Sequence, residues 1–188
     1  MPEPGTRLWC WRHPKARGAA GRCIGRPDLT VDPRKAKRLA HRIRAPARRE
    51  GLPHEVCVSP LRRAGDVGRW LARWGFHVQV DGRLAEMDFG RWDGCAWADI
   101  AWAEVQAWEA DFLHHRPGGG ESVQQLAQRV RAFVAESSVA GAAPRLVVTH
   151  GGWLNALLYL ADEHAVPQAA AWPAAPPHGA LRRWPLVR

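Results

Sequence analysis

The sequence predicts an α/β fold: a three-layer α/β/α sandwich with a mostly parallel central sheet and helices on both faces. Three observations predict it. Short apolar runs alternate along the chain with segments whose apolar residues recur at the helical period. Most of those runs are apolar on both alternating positions, the composition of strands covered on both faces. The 188 residues contain no fixed-period repeat and no low-complexity linker, which suits one domain spanning 1–188.

The elements follow in order. Residues 8–12 are the first strand. In "DPRKAKRLAHRIRA" (32–45), Ala36, Leu39, Ala40 and Ile43 share a helical face, with Asp32 as N-cap and Pro33 at the first helical position. "EVCVS" (55–59) is a second strand. It runs into "PLRRAGDVGRWLARW", where Leu61, Ala64, Gly68, Leu71 and Ala72 share a face, Ser59 is the expected N-cap and Pro60 sits in the first turn. "HVQV" (77–80) is a third strand, followed by the loop "RLAEMDFGRWDG". A Trp-rich helical segment from Trp97 to Leu113 comes next, within an insert or lid of about 95–120. "ESVQQLAQRVRAFVAE" carries Val123, Leu126, Ala127, Val130, Phe133 and Val134 at helical spacing, and Ser122 with Gln125 has capping-box spacing. "RLVVTH" (145–150) is another strand, with a helix starting directly after it at Gly151. The stretch 167–177 is rich in Pro and Ala and irregular, and "ALRRWPLV" returns as an edge strand.

Composition narrows the function classes. No apolar run approaches the ~20 residues a membrane span needs, so no membrane partner is expected. The N-terminal residues lack the basic-then-apolar pattern of a signal peptide. Cys10, Cys23, Cys57 and Cys95 show no C-x-x-C pair and no zinc-ligand spacing. Reduced thiols and a cytoplasmic location are therefore expected, with no metal and no cofactor. The net charge of +9 raises nucleic-acid binding as a reading. Its basic residues are spread along the chain rather than blocked, and no nucleic-acid-binding motif accompanies them, so a solvated basic surface is the plainer account.

Chemistry concentrates at strand ends. His13 and His150 each follow an apolar strand directly, and ligands of open α/β sheets bind at that rim. Arg12 adjoins His13. Gly151 and Gly152 adjoin His150 at a helix N-terminus, where backbone N–H groups and the helix dipole favour an anion. Arg63 lies near the start of the helix after the second strand. Guanidiniums match phosphate oxygens, and a neutral imidazole can attack phosphorus. An alkoxide leaving group also needs an acid, and Glu86, beyond the third strand, is the best-placed carboxyl.

Together these residues resemble the histidine phosphatase superfamily, the phosphoglycerate-mutase-like group. "WRHP" (11–14) is similar to its Arg-His-Gly signature, "VSPLRRA" (58–64) to its Ser-Pro-Leu-x-Arg-Ala segment, "LAEMDFGRWDG" (84–94) to its proton-donor segment and "VVTHGG" (147–152) to its second-histidine motif. The resemblance implies that His13 is the nucleophile. It implies that Arg12, Arg63, His150 and Gly151 hold phosphate, and that Glu86 is the acid. Arg26, Trp97 and Trp102 are possible substrate contacts. "CIGRPDL", "EMDFGRWDG" and "PGGGESVQQLAQRV" look most like α-ribazole phosphatases. That likeness implies metal-independent hydrolysis of α-ribazole 5′-phosphate, or of adenosylcobalamin 5′-phosphate, in cobalamin nucleotide-loop assembly.

The expected partner is thus a small phosphomonoester, not a nucleic acid or membrane, and either a monomer or a dimer is compatible. A phosphatase on another sugar or nucleotide phosphate, a phosphoryl mutase and a non-catalytic nucleic-acid-binding module are the alternatives. One departure stands out. Pro14 replaces the signature glycine, has no N–H and fixes φ near about −65°, so any role needing a donor or a left-handed backbone there is lost. Lys15 and Ala16 likewise replace the Glu-Thr common in the family.

Overall fold

Period-two alternation along the first strand divides its side chains between two cores. In β1 (Thr6–Arg12), Leu8 and Cys10 enter one apolar cluster while Trp9 and Trp11 enter the other. The computed structural model describes residues 6–137, 143–160 and 167–185. β2 (Glu55–Val58) and β4 (Arg145–Thr149) divide in the same way. Val56, Val58, Leu146 and Val148 face the first helical layer, and Cys57 and Val147 face the second. With β3 (His77–Val80) and β5 (Leu181–Pro185), the described strands form one sheet in the order β3-β2-β4-β1-β5. β1, β2, β3 and β4 are parallel, and β5 is the antiparallel edge.

Helices α1 (Pro33–Arg49) and α2 (Arg62–Ala72) cover one face, and α4 (Val123–Ser137) and α5 (Gly151–Tyr159) cover the other. This is the predicted three-layer sandwich. Among the described residues no helix is long and apolar enough to cross a membrane. Asp32 caps α1 as expected, its carboxylate accepting from the Arg34 N–H at 2.7 Å. The capping box at Ser122 and Gln125 is reciprocal, at 3.2 and 2.9 Å. Leu186 and Val187, expected within the last strand, lie outside the described residues.

Two expectations are corrected. Ser59 does not cap α2: the cap residue is Leu61, which makes no side-chain cap bond, and the helix opens at Arg62. Ser59 Oγ takes the His150 imidazole and the Leu61 N–H, at 2.6 and 3.3 Å, and the Arg62 N–H is held by Asp28 at 2.6 Å. The helical insert is also shorter than 97–113. A 3₁₀ turn at Trp97–Asp99 is separated from α3 (Trp102–Ala110) by extended backbone at Ile100 and Ala101.

Three glycines join the insert to the segment carrying Glu86. A Cβ on Gly118 (φ +60°) would collide with the Phe89 carbonyl, and one on Gly120 with the Asp88 carbonyl. Gly90 (φ +53°) faces Gly118 in the same way. The glycines of "DFG" and "PGGG" therefore let two backbones touch. Gly118→Ala should cost about 2–4 kcal/mol, since it adds backbone collision to left-handed strain. Equilibrium urea unfolding checks this, and an unchanged midpoint contradicts the contact.

Candidate active site

Register decides which side chains meet. Arg12 pairs with Thr149 across β1 and β4, and the His13 N–H donates to the Thr149 carbonyl at 2.9 Å. Ser59 N–H donates to Val148 O at 3.0 Å. The ends of β1, β2 and β4 thus bring His13, His150 and Ser59 to one rim, and the two imidazole centroids lie 4.9 Å apart.

His13 is 5% exposed. Its Nδ1 lies 2.6 Å from the Pro14 carbonyl oxygen. A carbonyl only accepts, so Nδ1 carries the proton and Nε2 of the neutral ring holds the lone pair. Position 14 contributes its carbonyl, which proline retains, and no non-glycine residue described has positive φ. Burial first, then the nearby Arg63, hold His13 well below the usual imidazole range, against the opposing pull of the Pro14 bond.

His150 has the opposite tautomer. Arg63 Nε donates to its Nδ1 at 3.2 Å, leaving Nε2–H to donate to Ser59 Oγ at 2.6 Å. Burial, then His13 and Arg63, keep His150 neutral as well. Both ring nitrogens of His150 are thereby engaged by protein. Arg63, 1% exposed, also donates to Pro27 O at 2.8 Å and Gly25 O at 2.5 Å. Arg12 donates from Nη1 to Pro176 O at 2.5 Å, while its buried Nε has no partner among the described residues.

Glu86 occupies the N-terminus of α5. Its Oε2 accepts from the Gly152 N–H at 3.0 Å and its Oε1 from the Met87 N–H at 3.0 Å. The anion at this helix end is thus the candidate acid itself, whereas the sequence suggested phosphate there. Gly151 has a packing reason to be small: a Cβ would lie 2.8 Å from Ala175 Cβ and 3.2 Å from Arg12 Cζ.

The outlying candidates are not drawn into this cluster. Arg26 is anchored by its backbone N–H to Asp93 at 3.0 Å, with its side chain exposed. Trp97 packs edge-on against Phe89 and Trp92, and Trp102 is 65% exposed on the insert.

Four contributors escaped sequence reasoning. Ser59 read as a helix cap. Asp93 collects the N–H groups of Gly25, Arg26 and Phe89, tying the Arg63-binding loop to the Glu86 segment. Arg129 donates to both Glu121 oxygens and to the carbonyls of Arg83, Ala85 and Glu86, so it holds the backbone that carries Glu86. His178 lies in the tail, its ring 5.4 Å from that of His13 and its Nδ1 donating to His13 O at 3.1 Å. A Pro/Ala-rich stretch gave no signal for it.

The cluster therefore offers a neutral nitrogen nucleophile, two adjoining guanidiniums and a separately anchored carboxyl. A family model described as "Histidine phosphatase superfamily (branch 1)" matches residues 8–181. A metal-independent phosphoserine phosphatase of Arabidopsis thaliana is 34% identical over 74% of this chain and 61% of its own length. A glucosyl-3-phosphoglycerate phosphatase of Mycobacterium tuberculosis is 36% identical over 56% of this chain and 52% of its own. The chain thus spans about half to three-fifths of the length of these curated relatives. Among solved structures, a mycobacterial glucosyl-3-phosphoglycerate phosphatase complexed with VO3 is similar at a TM-score of 0.76 and 30% identity, covering 94% of this chain and 90% of that one. An α-ribazole phosphatase from Shigella flexneri is similar at 0.73 and 25%, covering 93% and 88%.

Two expected outcomes follow from the geometry. A Cβ at position 152 would lie 2.6 Å from Glu86 Oε1. Gly152→Ala should displace that flexible carboxylate with little loss of stability, and lower kcat by about tenfold or more. A variant that melts normally and turns over normally would remove Glu86 from the chemistry. Acidification supplies the second. His13, His150 and His178 all have folded-state pKa values below their ordinary value near 6.5. Below about pH 6.5 the unfolded chain takes up protons that the folded chain refuses, so stability falls from pH 7 toward pH 5 and levels only once the folded histidines titrate. Thermal melts should show that slope, and His13→Asn with His178→Asn should flatten it.

Proposed function

The chain belongs to the histidine phosphatase superfamily, and we propose that it hydrolyses small phosphomonoesters through a phosphohistidine on Nε2 of His13. The observation that carries the reading is the 2.6 Å Nδ1–H to Pro14 carbonyl bond. It fixes the tautomer whose Nε2 has a lone pair, and it stabilises the positive charge that the ring gains on attack. Nε2 bonds to phosphorus as the P–O ester bond breaks, and Glu86 in its acid form protonates the departing oxygen. The resulting Glu86 carboxylate then takes a proton from water. The water oxygen bonds to phosphorus, the P–N bond breaks, and inorganic phosphate leaves with His13 neutral again. Arg12 and Arg63 hold the charge on the transferring phosphoryl, where most catalysis of this reaction arises. His150 stands beside them with both ring nitrogens bonded to Arg63 and Ser59, and so positions Arg63.

In the same reading residues 1–188 are one domain, and the 95–120 insert forms a wall over the substrate. Two substrate classes have support. α-Ribazole 5′-phosphate is favoured by the "EMDFGRWDG" and "PGGGESVQQLAQRV" segments, by similarity to α-ribazole phosphatases, and by exposed Trp97 and Trp102 as surfaces for a flat base. Phosphorylated small acids are favoured by the higher identity to relatives named for phosphoserine and glucosyl-3-phosphoglycerate.

Wild-type protein should turn over p-nitrophenyl phosphate in EDTA, and His13→Ala should lower kcat at least about a thousandfold. Rapid quenching should trap an acid-labile phosphoprotein in wild type alone. Equal turnover by His13→Ala would sink the mechanism. Release of inorganic phosphate, rather than an isomeric ester, separates a phosphatase from a mutase.

A further inference from the structure

We propose that Asp93 is a positioning residue of the reaction: its carboxylate fixes the spacing between Arg63, which holds the phosphoryl group, and Glu86, which protonates the departing oxygen. The inference rests on the phosphatase reading and deepens it by adding a residue that acts through others.

Two stretches distant in sequence meet beside the site. Residues 21–23 run antiparallel to 94–97, bridged at Arg22 and Ala96, with the Trp97 N–H on Gly21 O at 3.0 Å and the Cys23 N–H on Cys95 O at 2.9 Å. The Gly94 N–H closes this backbone pairing on Cys23 O at 2.8 Å. Beyond it a side chain takes over. Asp93 Oδ1 accepts from the Gly25 N–H at 2.6 Å, and Oδ2 accepts from the N–H groups of Arg26 at 3.0 Å and Phe89 at 3.3 Å.

Each end of that joint leads to a reacting group. Gly25, whose N–H is on Asp93, presents its carbonyl to Arg63 Nη2 at 2.5 Å. Phe89 lies three residues beyond Glu86 on the same segment. Between these points the two backbones touch: a Cβ on Gly25 would collide with the Met87 carbonyl and lie 2.8 Å from both Asp93 Oδ1 and Phe89 Cδ2. Burial lowers the Arg63 pKa, and Glu86, Asp28 and then Asp93 oppose it, so this carboxylate also favours the charged guanidinium.

Arg63 and Glu86 have anchors of their own as well. Pro27 O and His150 Nδ1 hold the guanidinium, and the N–H groups of Gly152 and Met87 hold the carboxylate. Loss of the Asp93 bonds therefore leaves each group supported and changes where one stands relative to the other. Relative position matters most for proton transfer. An oxygen that departs as a stable anion needs no proton, whereas a basic one needs the acid within hydrogen-bond reach. A displaced acid thus penalises basic leaving groups selectively, and a general loss of packing penalises all esters alike.

The test compares p-nitrophenyl phosphate with phenyl phosphate, which share a shape and differ in the basicity of the leaving oxygen. The readout is kcat/KM, which covers only the steps through P–O cleavage, so attack of water on the phosphohistidine does not enter. Asp93→Asn keeps one acceptor oxygen and, whichever way the amide turns, sets an N–H against an N–H on one side of the joint. It should lower kcat/KM for phenyl phosphate at least about tenfold and for p-nitrophenyl phosphate less than about threefold. Inorganic phosphate, as a competitive inhibitor, should keep its Ki within about threefold, because Arg63 retains two anchors. The ratio of the two rates on one preparation does not depend on the fraction folded, so it separates positioning from stability. An equal fall for both esters, an unchanged ratio, or a fall matched by weaker phosphate inhibition overturns the role. Should Asp93→Asn yield no folded protein, Asp93→Glu, which keeps both oxygens and lengthens the joint by one methylene, is judged by the same ratio. Wild type that turns over neither ester overturns the phosphatase reading and this role with it; wild-type turnover with an unchanged ratio in the variant overturns this role alone.

Discussion

The site is organised around a guanidinium that has almost no contact with water. Burying Arg63 would be prohibitive unless its donors were met, and the chain meets them with Gly25 O, Pro27 O and His150 Nδ1. Each of those bonds has a consequence. The two carbonyls fix the loop after the first strand. The imidazole bond forces His150 into the Nε2–H tautomer, and that proton needs an acceptor. Ser59 is the acceptor, its Oγ also takes the Leu61 N–H at 3.3 Å ahead of the helix, and α2 starts later with Asp28 holding the Arg62 N–H. A helix boundary in this protein is thus tied to a buried cation of the helix's own first turn, acting through an imidazole 87 residues away.

A second set of bonds holds the acid separately from the nucleophile. Glu86 stands on a loop beyond the sheet, where a carboxylate would ordinarily sample many positions. Its oxygens are held by the N–H groups of Gly152 and Met87, and its backbone by Arg129, itself oriented by Glu121. The glycine contacts between Phe89 and Gly118 then tie this segment to the insert. Nucleophile and acid are carried by different supports. On the proposed mechanism, Glu86 exchanges protons with an outgoing ester oxygen and an incoming water without disturbing the ring that bears the phosphoryl group.

Features local in sequence were legible; features completed by distant partners were not. β1, β4 and their terminal histidines read directly, because an apolar run interrupted by a functional side chain is a one-dimensional pattern. Asp32 and the Ser122–Gln125 pair read correctly because their partners lie two and three residues away. Ser59 was misassigned because the same hydroxyl suits a local cap and a remote imidazole, and only tertiary packing chooses. Arg129 was invisible: it acts on carbonyls 43 to 46 residues away, and carbonyls have no sequence signature. Pro14 was weighed for the donor that it lacks, whereas the fold uses the acceptor that it keeps.

The same reasoning bears on the excess of positive charge. A net charge of +9 on 188 residues reads as diffuse, yet the fold sorts its cations by what neutralises them. Some lie on aromatic faces: Arg183 over Trp9 at 4.0 Å, Arg73 over Trp70 at 4.8 Å and Arg44 over Trp74 at 5.3 Å. This gives the abundant tryptophans a second use beside packing. Others meet carboxylates. Arg63 and Arg12, the guanidiniums beside His13, donate to carbonyls rather than carboxylates, and their field acts on the buried His13 ring. A positive field disfavours protonation, which preserves the Nε2 lone pair, and it attracts the anion that the lone pair would attack. On the proposed mechanism, keeping the nucleophile neutral and gathering an anionic ligand are therefore one electrostatic requirement, met by giving those guanidiniums carbonyl partners instead of carboxylates.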